Sequence, residues 1–310
     1  MTDPRVTLAG VEFNGPAFTA SGCAAAGREL ASFFDLTEIG GVVTKSIMLR
    51  PRSGRPTPRM VETPSGMLNS IGLQGPGVES FVANDLAWLR ENNVAAVVSI
   101  AGETVDDYGQ LARVLRNEPG IAALEVNISC PNVESRGQVF ACDVMSASGV
   151  IHQVRRNTNS NVPIFAKLSP DVTSIAEIAL ACRNAGADGF SIMNTTLGMA
   201  IDTDTLRPVL GGVTGGLSGP AVRPIAVRCV WQVHQVLPDV PIIGMGGIAT
   251  GADALQFIAA GASAVEVGTM TFNDPSAPVR VQRELLELLE ARGFGKIAEA
   301  VGVAHRGGLS

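Results

Sequence analysis

The chain is 310 residues long and 46% hydrophobic, ample material for a buried core in one large α/β barrel or about two ordinary domains. Charged residues are only 17% and the net charge is −6, so no surplus of cations exists to neutralise phosphates, and nucleic acid is excluded as a general partner. The uncharged stretch 63–78 is broken by Gly, Pro, Ser and Asn, unlike the ~20 apolar residues of a membrane span.

In chain order, short β-branched runs alternate with longer amphipathic stretches. Strands are expected at 16–21, 40–45 and 95–101. A helix follows at 104–116, where Val105, Tyr108, Leu111, Ala112 and Leu115 recur at helical spacing. Strands at 122–128 and 162–168 come next, then a helix opened by Ser174-Ile175-Ala176-Glu177, a capping box that turns Ile175, Ile178, Ala179 and Cys182 inward. The remaining order is strand 189–193, helix 222–236, strand 240–245, helix 251–260 and strand 264–267. The strands read as continuous apolar runs, as parallel strands buried on both faces do. Val162-Pro163-Ile164 returns as Val240-Pro241-Ile242, and Ala185-Gly186-Ala187 as Ala260-Gly261-Ala262, which suits a repeated block of two β/α units. Eight strands alternating with helices predict a single α/β domain over 1–310, a (β/α)8 TIM barrel. Residues 47–77 and 197–220 exceed a minimal barrel. Each follows a strand, so both are expected as long insertions on the C-terminal face, where such barrels keep their active sites.

Polar or glycine residues close the apolar runs: Ser21, Lys45-Ser46, Ser99, Asn127 with Cys130, Lys167, Asn194-Thr195, Gly246-Gly247 and Gly268-Thr269. Singly such residues cap loops; together they converge on one mouth. The last two groups offer bare backbone N–H donors after the seventh and eighth strands, the usual phosphate position of this architecture, although tight turns would select the same glycines. Lys45 and Lys167 are the only lysines before Lys296, and each follows an apolar strand core, an unfavourable place for an ammonium without an anion. Anion contact, a structural ion pair and a Schiff-base lysine all fit that position.

The five cysteines include no C-x-x-C pair and suit neither a disulfide framework nor a zinc site, and Met1-Thr2-Asp3-Pro4-Arg5 does not resemble a signal peptide; a reducing, cytoplasmic setting is expected. Cys130 stands at the mouth before Pro131 and between Asn127 and Asn132, where a thiolate can act as general base or nucleophile. Cys23, Cys142, Cys182 and Cys229 read as inert, buried positions. His152, His234 and His305 show no ligand spacing, so no metal site is expected.

These motifs resemble dihydroorotate dehydrogenases of the soluble class 1 family over essentially the whole chain. The resemblance is carried by Thr44-Lys45-Ser46, by the run from Glu62 to Gln74 containing Gly66-Met67-Leu68-Asn69-Ser70-Ile71-Gly72-Leu73-Gln74, and by Asn127-Ile128-Ser129-Cys130-Pro131-Asn132. Lys167-Leu168-Ser169-Pro170, Asn194-Thr195, Gly215-Gly216-Leu217-Ser218-Gly219-Pro220 and Gly244-Met245-Gly246-Gly247-Ile248 extend it. It implies oxidation of dihydroorotate to orotate with FMN in pyrimidine (UMP) synthesis. Ser21, Lys45, Ser46, Ser99, Asn127, Lys167, Met193, Gly219, Gly246, Gly247, Gly268 and Thr269 would hold FMN. Lys45, Asn69, Ser70, Ile71, Gly72, Leu73, Asn127, Asn194 and Thr195 would hold the pyrimidine, with Asn132 a further candidate. Cys130 would be the general base, and Lys167 would support the reduced, anionic flavin.

The wording from Gly66 to Gln74 is similar to the B-type enzymes. That implies a homodimer joined in a heterotetramer by an FAD and iron–sulfur subunit that passes electrons to NAD, since this chain has no cluster-type cysteine spacing. Three departures stand against the family pattern: Ser99 where an Asn usually contacts flavin, Gly75 where the B-type usually has Asn, and Ala24-Ala25-Ala26 in place of a segment with aromatics. Two readings from other classes remain open, a Schiff-base lyase or aldolase using Lys45 or Lys167, and a catalytically silent binding barrel.

Overall fold

The computed structural model describes residues 2–129, 140 and 143–307. Eight parallel strands close into a barrel: β1 (Ala17–Thr19), β2 (Gly41–Val43), β3 (Ala96–Ile100), β4 (Ile121–Asn127), β5 (Ile164–Leu168), β6 (Gly189–Ile192), β7 (Ile242–Met245) and β8 (Ala264–Val267). Each pairs with the next in sequence, and β8 returns to β1. All eight expected strands are present. They are buried along nearly their whole length, which is why their sequences run apolar without alternation.

The outer layer consists of α1 (residues 78–91, with a wide π-type turn over Phe81–Leu86), α2 (Val105–Leu115), α3 (Val144–Asn157), α4 (Ile175–Asn184), α5 (Arg223–Val236), α6 (Gly251–Ala260) and α7 (Ala277–Glu290). The first unit has no α-helix; single 3₁₀ turns at Leu30–Ser32 and Leu36–Glu38 lead from β1 to β2. Helices α2, α4, α5 and α6 coincide with those expected from the sequence periodicity, whereas α1, α3 and α7 were not expected. In α4 only half of the expected capping box forms: Ser174 Oγ accepts from Glu177 N–H. Reciprocal boxes form instead at Thr104/Asp107 and Thr250/Asp253, where the shorter aspartate reaches back.

The repeats have a structural meaning. Pro163 and Pro241 precede β5 and β7, and each carbonyl accepts from the neighbouring earlier strand, at Leu124 and Phe190 respectively. Gly186 and Gly261 end α4 and α6 at φ +109° and +120°, letting the next backbone N–H (Ala187, Ala262) bond back to Cys182 and Phe257. The motif pairs are therefore the same helix-to-strand turn used twice.

The two insertions do not stay separate. Strands Met60–Thr63 and Gly66–Asn69 from the first join Gly215–Ser218 and Thr196–Gly198 from the second in one four-stranded antiparallel sheet. Gly215 allows this closeness, because a Cβ there would fall 2.6 Å from the Asn69 carbonyl oxygen of the first insertion.

Candidate functional site

A cavity of about 750 Å³ opens at the C-terminal rim of the barrel, walled on one side by the inserted sheet. Parallel strands bring their C-terminal ends to one rim, so residues far apart in sequence line it together: Ser21, Lys45, Ser46, Asn127, Lys167, Met193, Asn194, Thr195, Gly246, Gly247, Gly268 and Thr269. The insertions add Asn69, Ser70, Ile71, Gly72, Leu73 and Gly219. Cys130, Pro131, Asn132 and Cys142 lie outside the described residues. Ser99 does not line the cavity; it is fully buried beneath it.

Ser99 belongs to a chain of hydrogen bonds with a fixed direction. Its hydroxyl donates to Glu125 Oε1 at 2.9 Å, and a carboxylate only accepts. Ser99 must therefore accept from Ser46 Oγ (2.8 Å), which in turn accepts from Asn127 Nδ2 (3.1 Å). Asn127 Oδ1 accepts from Asn194 Nδ2 at 3.2 Å, and the Asn127 carbonyl accepts from Tyr108 Oη at 2.8 Å. The amide faces of both asparagines are thus set by a carboxylate two serines away.

That carboxylate is one of two in the barrel interior. Lys167 Nζ donates to Ser21 Oγ at 2.8 Å and to Glu125 Oε1 and Oε2 at 3.3 and 3.4 Å, and lies 3.9 Å from Glu266 Oε2. Burial works against the ammonium, but the acids facing it, Glu125 first by charge and hydrogen bond, hold Lys167 above the usual lysine range. A lysine so held is a poor Schiff-base amine. Glu266 is pushed well above the ordinary carboxyl range, first by burial and then by the charge of Glu125.

Lys45, half-buried at the rim, has its ammonium pulled below the usual range by burial. Cys23 corrects an expectation: it is not in the core but on the cavity wall, half-buried, with its thiol pushed up to about 11 by burial. Cys182 and Cys229 are buried as expected. The 69–73 loop is held by the first insertion. Arg55 N–H donates to the Ile71 carbonyl, Arg55 Nη1 to Ser70 Oγ at 3.3 Å, and Arg52 Nε to the Gly72 carbonyl at 2.9 Å, while Arg52 also pairs with Glu103. A second cavity of about 430 Å³ shares Lys45, Ser46, Arg52 and Ile71 with the first, and its wall includes Ala25, Ala26 and Gly75, three of the departing positions.

Glu125, Glu266, Arg52 and Arg55 escaped the sequence analysis. The two glutamates were legible in principle, since each is an acid inside an otherwise apolar strand, Ala123-Leu124-Glu125-Val126 and Ala264-Val265-Glu266-Val267. Among the described residues no cluster of His, Cys, Asp and Glu is arranged to hold a metal ion, and no helix is long and apolar enough to cross a membrane.

Comparison with known proteins adds three findings. The sequence model of a family described as dihydroorotate dehydrogenase matches residues 4–289. The chain is 52% identical over 303 residues, 98% of each protein, to the catalytic subunit of dihydroorotate dehydrogenase B (NAD(+)) of Desulforudis audaxviator (strain MP104C). Proteins of the same name from Geotalea uraniireducens (strain Rf4) and Pelobacter propionicus (strain DSM 2379 / NBRC 103807 / OttBd1) are 48% and 49% identical, each over 97% of this chain.

Proposed function

The chain belongs to the dihydroorotate dehydrogenase family and is an oxidoreductase, and from that premise we propose that it oxidises dihydroorotate to orotate with FMN as its cofactor, in pyrimidine synthesis. The observation that carries this reading is the convergence of the flavin and pyrimidine residues on one cavity. Its volume lies within the ~300–1,000 Å³ of sites that enclose a small molecule or cofactor.

The donor set suits FMN. Gly219, Gly246 and Gly247 sit on the wall at positive φ, and at Gly22 a Cβ would meet no atom within 4 Å, so bare backbone faces the space. Gly246, Gly247, Gly268 and Thr269 would hold the phosphate, with the Thr269 hydroxyl kept in place by a 2.8 Å bond to Ser218 Oγ. Ser21, Lys45, Ser46, Asn127, Lys167, Met193 and Gly219 would hold the rest. Ser99 would act through Ser46 rather than by contact. Bound FMN supplies the hydride acceptor.

On the substrate side, Asn69, Ser70, Ile71, Gly72, Leu73, Asn127, Asn194 and Thr195 present amide and backbone groups, which match the donors and acceptors of a neutral pyrimidine edge. Lys45 would meet the substrate carboxylate. Cys130 would take the proton from the carbon next to the carbonyl, the work of a thiolate general base.

The relatives' designation as catalytic subunits supports a partner chain, here an FAD and iron–sulfur subunit passing electrons to NAD. The exposed apolar side chains Leu197, Met199, Ile201 and Leu206 of the second insertion support a homodimer at its centre. A cytoplasmic setting accords with both.

The test is an absorbance spectrum of the purified protein before and after anaerobic dihydroorotate. A flavin spectrum that bleaches is expected, together with NAD reduction only when the partner is added. A colourless protein, or a flavin that stays oxidised, would overturn the reading; NAD reduction by the isolated chain would overturn the partner.

A further inference from the structure

One ammonium and two carboxyl groups from three barrel strands lie at and beneath the floor of the cavity: Lys167 on β5 and Glu266 on β8 border it, and Glu125 on β4 is buried below. The two acids are not equivalent. Glu125 has Lys167 Nζ within 3.4 Å of both its oxygens and accepts from Ser99 as well. Glu266 is 1% exposed, borders the cavity and lies 3.9 Å from Lys167, and no side-chain N–H or hydroxyl donates to either of its oxygens. Two carboxylates against one ammonium would leave an uncompensated negative charge, buried, beneath ligands that are themselves anionic.

We propose that Glu125 and Glu266 form a counter-ion for Lys167 that shares a single proton, resident on Glu266, so that Glu266 is a positioning residue which keeps the lysine balanced by one carboxylate and not two. This rests on the reading of the cavity as a flavin and dihydroorotate site. The charged and titratable groups facing Glu266 are Glu125, Lys167 and the Cys23 thiol, with Lys45 beyond Cys23. Burial and the charge of Glu125 favour the acid form of Glu266, and Lys167 opposes it. The hydrogen bonds agree: Glu125 is held as an acceptor by two side-chain donors, whereas no other side chain donates to Glu266, which meets the Ser21 backbone N–H and the Glu125 carboxyl, where its own proton would bond to Glu125. The arrangement makes the two acids interchangeable. If Glu125 loses its charge, Glu266 gives up its proton and replaces it as partner of Lys167.

Two readouts test this in the FMN-loaded protein at neutral pH. In the infrared, wild type should show the C=O stretch of a buried carboxylic acid. The band should vanish in Glu266→Gln, where the acid is gone, and in Glu125→Gln, where Glu266 becomes ionised. The second readout is the affinity of the bound flavin for sulfite, which rises with positive charge beside the ring. Each single variant should stay within about threefold of wild type, while Glu125→Gln/Glu266→Gln should bind sulfite at least roughly tenfold more tightly, a non-additive pair. Three results would overturn the proposal: no acid band in wild type, which needs no variant to fold; a tenfold rise in Glu266→Gln alone, meaning two ionised acids; or a tenfold rise in Glu125→Gln alone, meaning Glu266 cannot take over. A protein that binds no FMN refutes the functional reading instead, and its infrared spectrum still decides where the proton lies.

Discussion

Replacing Glu266 by Gln should make the protein progressively more stable than wild type as pH rises. The folded protein holds the Glu266 carboxyl above its ordinary range, so it keeps a proton that the unfolded chain releases above a pKa of about 4.3. Such a group contributes stability that is fully present below the unfolded value and is lost as pH climbs toward the folded one. Each pH unit in that interval lowers wild-type stability by about 1.4 kcal/mol, and Gln, which does not titrate, escapes the loss. If Glu266 keeps its proton throughout pH 5–8, the difference between the two proteins changes by about 4 kcal/mol across the window. The side chain is 1% exposed, so solvent screening does not reduce this figure. The unpartnered amide of Gln adds a penalty of roughly 1–3 kcal/mol, but that term is constant with pH and shifts the curve without tilting it. Lys167 and Cys23, both held above their usual ranges, titrate above this window and act alike in the two proteins. Urea unfolding followed by circular dichroism at pH 5, 6, 7 and 8 measures the difference. A gap that stays flat, or narrows as pH rises, would refute the assignment of the proton to Glu266.

Gly247→Ala places a Cβ 2.7 Å from the Gly219 carbonyl oxygen and 2.9 Å from Arg223 Cβ at φ +76°, so a loss of at least about 1–3 kcal/mol in stability and reduced FMN content are expected. Unchanged melting temperature with full flavin content would contradict it. Lys45→Ala should slow flavin reduction by dihydroorotate at least about 10²-fold in single-turnover experiments, the scale of losing one preorganised charge from an enclosed site; a rate within threefold of wild type would remove Lys45 from the machinery. Cys130→Ala should bind FMN and orotate yet reduce the flavin about 10²–10⁴-fold more slowly. Wild-type reduction rates across all pH values would end its role as base.

Much of this molecule was legible in one dimension because parallel strands buried on both faces leave a one-dimensional mark. Each apolar run became a barrel strand, and the described polar residues that closed them, from Ser21 and Lys45 to Asn194 and Thr269, came to the same rim with the exception of Ser99, since parallel strands share a C-terminal end. Helix α1 was harder, because its wide π-type turn over Phe81–Leu86 breaks the 3.6-residue period, whereas α3 and α7 were legible in principle, with Val281, Leu285 and Leu289 recurring every four residues in α7. Ser99 shows a different limit. Its position near a strand end was right, but whether a serine touches a ligand or supports the residue that does depends on Ser46, 53 positions earlier and just beyond the neighbouring strand, lying 2.8 Å away.

The sequence by itself determined the barrel, its rim and the chemical types of the lining residues, all set by local periodicity and by which residue ends each strand. Tertiary structure alone decided three things: that the two insertions pair into one sheet over the mouth, that Ala25, Ala26 and Gly75 share a second cavity, and that Lys167 faces two acids. Hydrogen bonds between strands about 150 residues apart, and the field of one buried charge on another, depend on distances through space, and the closed barrel brings Glu125 and Glu266 from separate strands to within 4 Å of the Lys167 ammonium.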